Sequence, residues 1–242
     1  MQLIMASILS NLQAVHAQIA ASAQAAHRST QAIQLLAVSK TFGADAVLEA
    51  VLAGQRAFGE NYVQEGVEKI LALRGLVSTN CPDAVLEWHF IGPIQSNKTR
   101  LIAEHFDWVH SIDREKIAQR LSEQRPAHLP PLNVCLQINI SGEASKSGVP
   151  AADALALAQR IALLPQLRLR GLMTVPEPAA SLEAQRVPFK QVRELFQQLQ
   201  QAGLPLDTLS MGMSADLSAA VAEGATMVRI GSAIFGARDY AH

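Results

Sequence analysis

The chain has 242 residues, of which 49% are hydrophobic and 17% charged, with a formal net charge of −1. That balance suits a compact globular protein and argues against long disordered tails, a basic field for nucleic acid, or an acidic tail. No stretch offers the roughly 18 uninterrupted apolar residues that a membrane-spanning helix requires.

The first expected element is an amphipathic helix, in which Ile4, Ile8, Leu12, Val15 and Ile19 recur at helical spacing. It does not read as a secretory signal: no Lys or Arg precedes Arg28, and Asn11, Gln13, His16 and Gln18 interrupt the apolar residues. Eight β-like runs follow: "LLAV", "RAFG", "WHFIG", "WVHSI", "NVCLQIN", "LRLRGLMTV", "DTLSMG" and "TMVRIG". Helical segments separate them, and glycines at 54, 75, 203 and 224 are the expected stops. Pro188 is expected to kink or split the longest helix. "STNCPDA", "RPAHLPP" and "SGEASKSG" are the expected mobile loops. Cys81 and Cys135 have no metal-ligand spacing, and two such thiols fit a reducing cytoplasm.

Eight β/α alternations favour a single (β/α)8 TIM barrel over residues 1–242, an α/β fold carrying one extra N-terminal helix. An open doubly wound sheet is the alternative, but no G-x-G-x-x-G follows the first strand.

Active sites of such barrels lie at the C-terminal ends of the strands. Lys40 ends the first run, where an ammonium must reach water, find a partner or lose its charge. Near the same mouth fall Asn61, His89, Asn139, Met173, Ser214, Arg229, Gly231 and Ser232. A desolvated lysine there is a candidate to form an imine with a carbonyl. Ser214 is an expected helix N-cap, with Asp216 in the first turn. Gly231 and Ser232 end the eighth run, and the loops after the last two strands suit a phosphate; both serines could equally be plain caps. Arg229, inside "MVRIG", needs either a carboxylate on a neighbouring strand or an acceptor on a bound ring. His89 could face a planar ligand or be a satisfied core residue. Lys98 and Arg100 read as a solvated helix face rather than a phosphate site.

The segments "LLAVSKTF", "FGENYVQE", "WHFIGPIQSNK", "VHSID", "GLMTV" and "LSMGMSADLSAAVAEGATMVRIGSAIFGAR" together resemble the YggS/PROSC-like family of pyridoxal phosphate homeostasis proteins. The resemblance spans about residues 35 to 238, with Ile94 where the family more usually has leucine. It implies a barrel of the alanine racemase type holding pyridoxal 5′-phosphate as an imine on Lys40. It also implies phosphate contacts from Ser214, Gly231 and Ser232, and Arg229 facing the pyridine nitrogen. Asn61, His89, Met173 and Met211 match positions lining the cofactor.

An always-charged donor beside the ring nitrogen opposes its protonation and makes the ring a poorer electron sink. Racemases of related fold also use a second base, typically from another domain and a dimer partner. This chain ends at "FGARDYAH", and its two tyrosines, Tyr62 and Tyr240, have no evident claim to that role. The expectation is a cytoplasmic, monomeric carrier in vitamin B6 balance that serves pyridoxal-phosphate-requiring apo-enzymes, with no nucleic-acid or membrane partner. An amino-acid racemase and a Schiff-base aldolase are the alternatives.

Overall fold

The computed structural model describes residues 2–141 and 147–236, with side chains from residue 8 onward. Eight parallel strands form its centre: β1 (Gln34–Val38), β2 (Ala57–Glu60), β3 (Glu87–Phe90), β4 (Trp108–Ile112), β5 (Leu132–Asn139), β7 (Leu167–Met173), β8 (Thr208–Ser210) and β9 (Met227–Ile230). Their order is β4-β3-β2-β1-β9-β8-β7-β5, and β4 also pairs with β5, so the sheet closes on itself as a (β/α)8 barrel. The sequence reading lacked one strand, the two-residue β6 (Val149–Pro150), which pairs only with the end of β5.

The strands alternate as a pleat demands. On β5, Leu132, Val134, Leu136 and Ile138 belong to the core between barrel and helices, while Cys135 joins Trp108 and Met173 in a separate cluster inside the barrel. The outer helices are α2 (Ala44–Leu52), α3 (Val63–Asn80), α4 (Thr99–His105), α5 (Glu115–Gln124), α6 (Ala151–Ala162), α7 (Leu182–Gln201), α8 (Leu217–Ala222) and α9 (Ser232–Phe235). The extra helix α1 (Gln2–Ala25) packs on α2, α8 and α9, burying Ile8, Leu12, Val15 and Ile19. Each such side chain contributes about 1.5–3 kcal/mol on burial. The Ile4 side chain lies outside the described residues.

Three local expectations change. Gly54, Gly203 and Gly224 adopt positive φ where helices end, but Gly75 does not, and α3 runs on to Asn80. The continuation buries Val77 and absorbs the start of "STNCPDA". Pro188 does not split α7, which Ser181 caps and which Phe189 and Val192 anchor in the core. The loop "RPAHLPP" is pinned, because Arg125 donates to the carbonyls of Ala103, Phe106 and Pro130. Most of "SGEASKSG" lies outside the described residues.

Candidate cofactor site

Strand pairing brings distant residues to one arc of the rim. β2, β1, β9 and β8 are consecutive around the barrel. Val38 pairs with Gly59 and the Ser39 N–H donates to Gly59 O, so Lys40 and Asn61 leave the barrel on neighbouring strands. Ala37 pairs with Ile230, which sets Gly231 beside Val38; a Cβ on Gly231 would lie 3.2 Å from Val38 O. The Arg229 N–H donates to Gly212 O, which brings the segment carrying Ser214 alongside β9.

The backbone around Lys40 is held from below. Thr41 adopts φ 69°, an uncommon conformation for a β-branched residue, and its N–H donates to Glu65 Oε1 at 2.6 Å. Lys69 Nζ donates to Glu65 Oε1 (3.1 Å), Glu60 Oε1 (2.6 Å) and Ser39 O (2.8 Å), and Ser39 Oγ donates to Glu60 Oε1. One buried ammonium and two carboxylates therefore fix both neighbours of Lys40. Burial pushes the Glu60 carboxyl up, and Lys69 pulls it back. Lys69→Met would leave Glu60 buried without its cation, at a cost of about 3–5 kcal/mol. We expect that loss in urea denaturation at pH 8 and a smaller one at pH 5, where Glu60 can take up a proton instead; equal losses would mean that packing alone is affected.

Asn61 is half-buried, and its Oδ1 has no hydrogen-bond partner among the described residues. Neither candidate serine is a cap. Asp216, expected in the first turn of α8, is instead its N-cap residue, and its Oδ1 accepts from the Met213 N–H. Ser214 lies exposed in the preceding turn, because the turn closes through Asp216. Gly231 takes the N-cap position of α9, and Ser232 begins that helix.

Arg229 is buried on β9 and, among the described residues, has no carboxylate partner on a neighbouring strand. Nη1 donates to Ser210 Oγ and Nη2 to Thr174 O, each at 2.8 Å. Burial pulls the guanidinium down to about 10, opposed by Asp216, so it stays charged at neutral pH. His89 is fully enclosed: its ring stacks on Trp108 at 5.3 Å, and its nitrogens meet Glu87 and His110. Met173 sits inside the barrel, whereas Met211 packs in the outer core, on the opposite side of β8 from Ser210. Lys98 is half-buried and approaches Gln64 at 3.4 Å, and the exposed Arg100 approaches Glu104 at 3.8 Å. Tyr62 is 57% exposed, and Tyr240 lies outside the described residues.

Sequence reasoning missed Ser210, Thr174, His110, Glu60 and Lys69. His110 carried a signal, being a polar residue at an inward position of an apolar run. Lys69 carried none, since a lysine within a surface helix is ordinary.

The family model for the alanine racemase N-terminal domain matches residues 10–239. An alanine racemase from Corynebacterium glutamicum has the same fold, with a TM-score of 0.66 at 20% identity over 98% of this chain and 62% of its own. The barrel is therefore of the alanine racemase N-terminal type. Much nearer are the pyridoxal phosphate homeostasis proteins of Pseudomonas aeruginosa (61% identical, covering 98% of each chain) and Vibrio cholerae (58%, again 98% of each). PipY of Synechococcus elongatus, solved with pyridoxal phosphate bound, is 38% identical with a TM-score of 0.80 over 95% of this chain and all of its own. The chain belongs to the family of pyridoxal phosphate homeostasis proteins.

Proposed function

We propose that this protein binds pyridoxal 5′-phosphate in the barrel mouth and acts in vitamin B6 homeostasis as a carrier, without strong catalytic turnover. The observation that carries the reading is the gathering of an amine, an amide oxygen and two hydroxyls at four adjacent strand ends. Lys40 stands on a fixed loop, Asn61 Oδ1 is buried without a partner among the described residues, and Ser214 and Ser232 are free of capping duty. A buried amide oxygen left unpaired costs about 1–3 kcal/mol, which a bound donor would recover. When bound, the cofactor supplies an aldehyde that a lysine amine can take up and an electron-poor ring.

In this reading Lys40 is the covalent anchor, and the Ser214 and Ser232 hydroxyls with the Gly231 backbone hold the phosphate. Arg229 donates toward the ring nitrogen and opposes its protonation. Asn61, His89 and Met173 shape the surroundings, and Met211 contributes through packing. The names of the relatives and the bound ligand of PipY support the cofactor assignment. We further propose a cytoplasmic monomer that hands cofactor to pyridoxal-phosphate-requiring apo-enzymes. Cys81 and Cys135, neither in a disulfide, suit a reducing compartment.

The protein as purified should be yellow, with an absorbance band from lysine-bound cofactor; a colourless protein that stays so with added pyridoxal phosphate would refute the reading. Ser214→Ala with Ser232→Ala should weaken pyridoxal 5′-phosphate binding by tenfold or more per lost charge-assisted hydrogen bond, roughly 1.5–3 kcal/mol each. Pyridoxal, lacking the phosphate, should bind almost as before. Equal weakening of both ligands would show that the serines shape the fold.

A further inference from the structure

A row of polar side chains, buried except at its far end, crosses the barrel interior beneath the mouth. Arg229 Nη1 lies 2.8 Å from Ser210 Oγ, and that oxygen lies 2.8 Å from His110 Nδ1. His110 Nε2 is 2.9 Å from His89 Nδ1, and His89 Nε2 is 3.1 Å from Glu87 Oε2. Glu87 opens β3, at the N-terminal rim opposite the mouth. Its carboxylate also accepts from the Trp108 indole (2.7 Å) and from Gln34 (3.0 Å). The row thus joins the two rims through residues of β9, β8, β4 and β3.

Its two ends fix its direction. A guanidinium only donates, an ionised carboxylate only accepts, and a neutral imidazole does one of each. Burial alone would raise the Glu87 carboxyl, but the hydrogen bond from His89, with those from Trp108 and Gln34, holds it below the usual carboxylate range, so it is ionised at neutral pH. Burial pushes both histidines down, His110 well below the usual range, where the Arg229 charge adds to the effect. Both rings are therefore neutral at pH 7. His89 must then carry its proton on Nε2, facing the carboxylate. Its Nδ1 accepts, so His110 also carries its proton on Nε2. His110 Nδ1 accepts in turn, so the Ser210 hydroxyl donates to it and turns a lone pair to Arg229. No other assignment with neutral rings satisfies all four contacts, since the reverse sets a bare lone pair against the carboxylate.

We infer that Arg229, Ser210, His110, His89 and Glu87 form a one-way hydrogen-bond relay that aims the Arg229 guanidinium at a ligand in the mouth, with Glu87 on the far rim as its positioning residue. Each link has one donor and one acceptor in an interior that polarises such chains cooperatively. A change at Glu87 therefore reaches Arg229 without touching the ligand. The ligand's identity rests on the pyridoxal phosphate reading; the relay itself does not.

The test begins with cofactor-free protein. Long-range 15N–1H NMR near pH 7 should find His89 and His110 neutral, each protonated on Nε2. Glu87→Gln keeps the side-chain size. If its carbonyl stays on the Trp108 indole, its amide N–H faces His89, which favours the opposite tautomer in both rings. Ser210→Ala cuts the relay above His110 and should leave His89 unchanged. With pyridoxal 5′-phosphate added, both variants should bind about three- to tenfold more weakly, the scale of one neutral hydrogen bond, and shift the bound ligand's absorbance. A charged or Nδ1-protonated histidine in the wild type overturns the inference, as does a His110 indifferent to Glu87→Gln. Reversed tautomers in Glu87→Gln, with affinity and absorbance unchanged in both variants, would overturn the role assigned to Arg229. If wild type fails to bind pyridoxal phosphate, only the ligand reading fails, because the tautomers are read without it.

Discussion

Lys40→Ala will abolish the borohydride-reducible pyridoxyl adduct at this position. Among the described residues, Lys69 is the lysine tied to the backbone beside Lys40, and it is 4% exposed and donates to three oxygens of its own clamp. Freeing it would break a buried ion pair at a cost of several kcal/mol, so it cannot stand in for Lys40. Lys98 and Lys190 lie on helix surfaces, near Gln64 and Glu194 respectively. The substitution should leave the fold intact: Lys40 is half-buried at a rim, and the clamp holds the backbone on either side through Ser39 and Thr41 rather than through the Lys40 side chain. Stability should change by no more than about 1 kcal/mol. Mass spectrometry of reduced, digested wild-type protein locates the adduct. Finding the pyridoxyl group only on another lysine would remove Lys40 from its assigned role.

The barrel was legible because its signals are local and repeated: period-two apolar runs, amphipathic segments between them, and glycines such as Gly54, Gly203 and Gly224 that must take positive φ. Gly75 misled, since a glycine in a helix costs only about 1 kcal/mol, less than burying Val77 beyond it returns. The arc of Lys40, Asn61, Ser214, Gly231 and Ser232 was legible from the rule that places sites at strand ends. What sequence could not supply is how polar groups share partners. Ser214 reads as a cap until the turn is seen to close through Asp216. Arg229 reads as half of an ion pair until its donors are seen on Ser210 and Thr174. The Glu60–Lys69 clamp joins a strand to the helix that follows it, and the relay joins residues as far apart as His110 and Ser210; spacing encodes neither.

The second large effect expected is a near absence of chemistry. With the cofactor bound, the α-proton of an added amino acid should exchange with D₂O far more slowly than in a dedicated enzyme. Moving that proton rapidly needs an electron-poor ring and a base on the face opposite Lys40. Arg229 remains a charged donor at neutral pH, and such a donor opposes protonation of a ring nitrogen. The described residues also offer no ready second base. Burial pushes the Cys135 thiol up to about 12. His89 and His110 are fully buried, with every ring nitrogen committed to the relay. Glu60 is tied to Lys69 and Ser39. General acid–base help is typically worth about 10²–10⁴-fold, so its loss compounds the effect of the arginine. Amino acids should still shift the absorbance, because exchanging one amine for another at the anchor requires neither feature. Proton NMR of the holo-protein with alanine in D₂O separates the two events. A shifted spectrum with exchange well below about 1 s⁻¹ fits a carrier; exchange of the order of 1–10³ s⁻¹, the range of dedicated enzymes, would make this protein a racemase-like catalyst and require a base that the barrel interior does not supply.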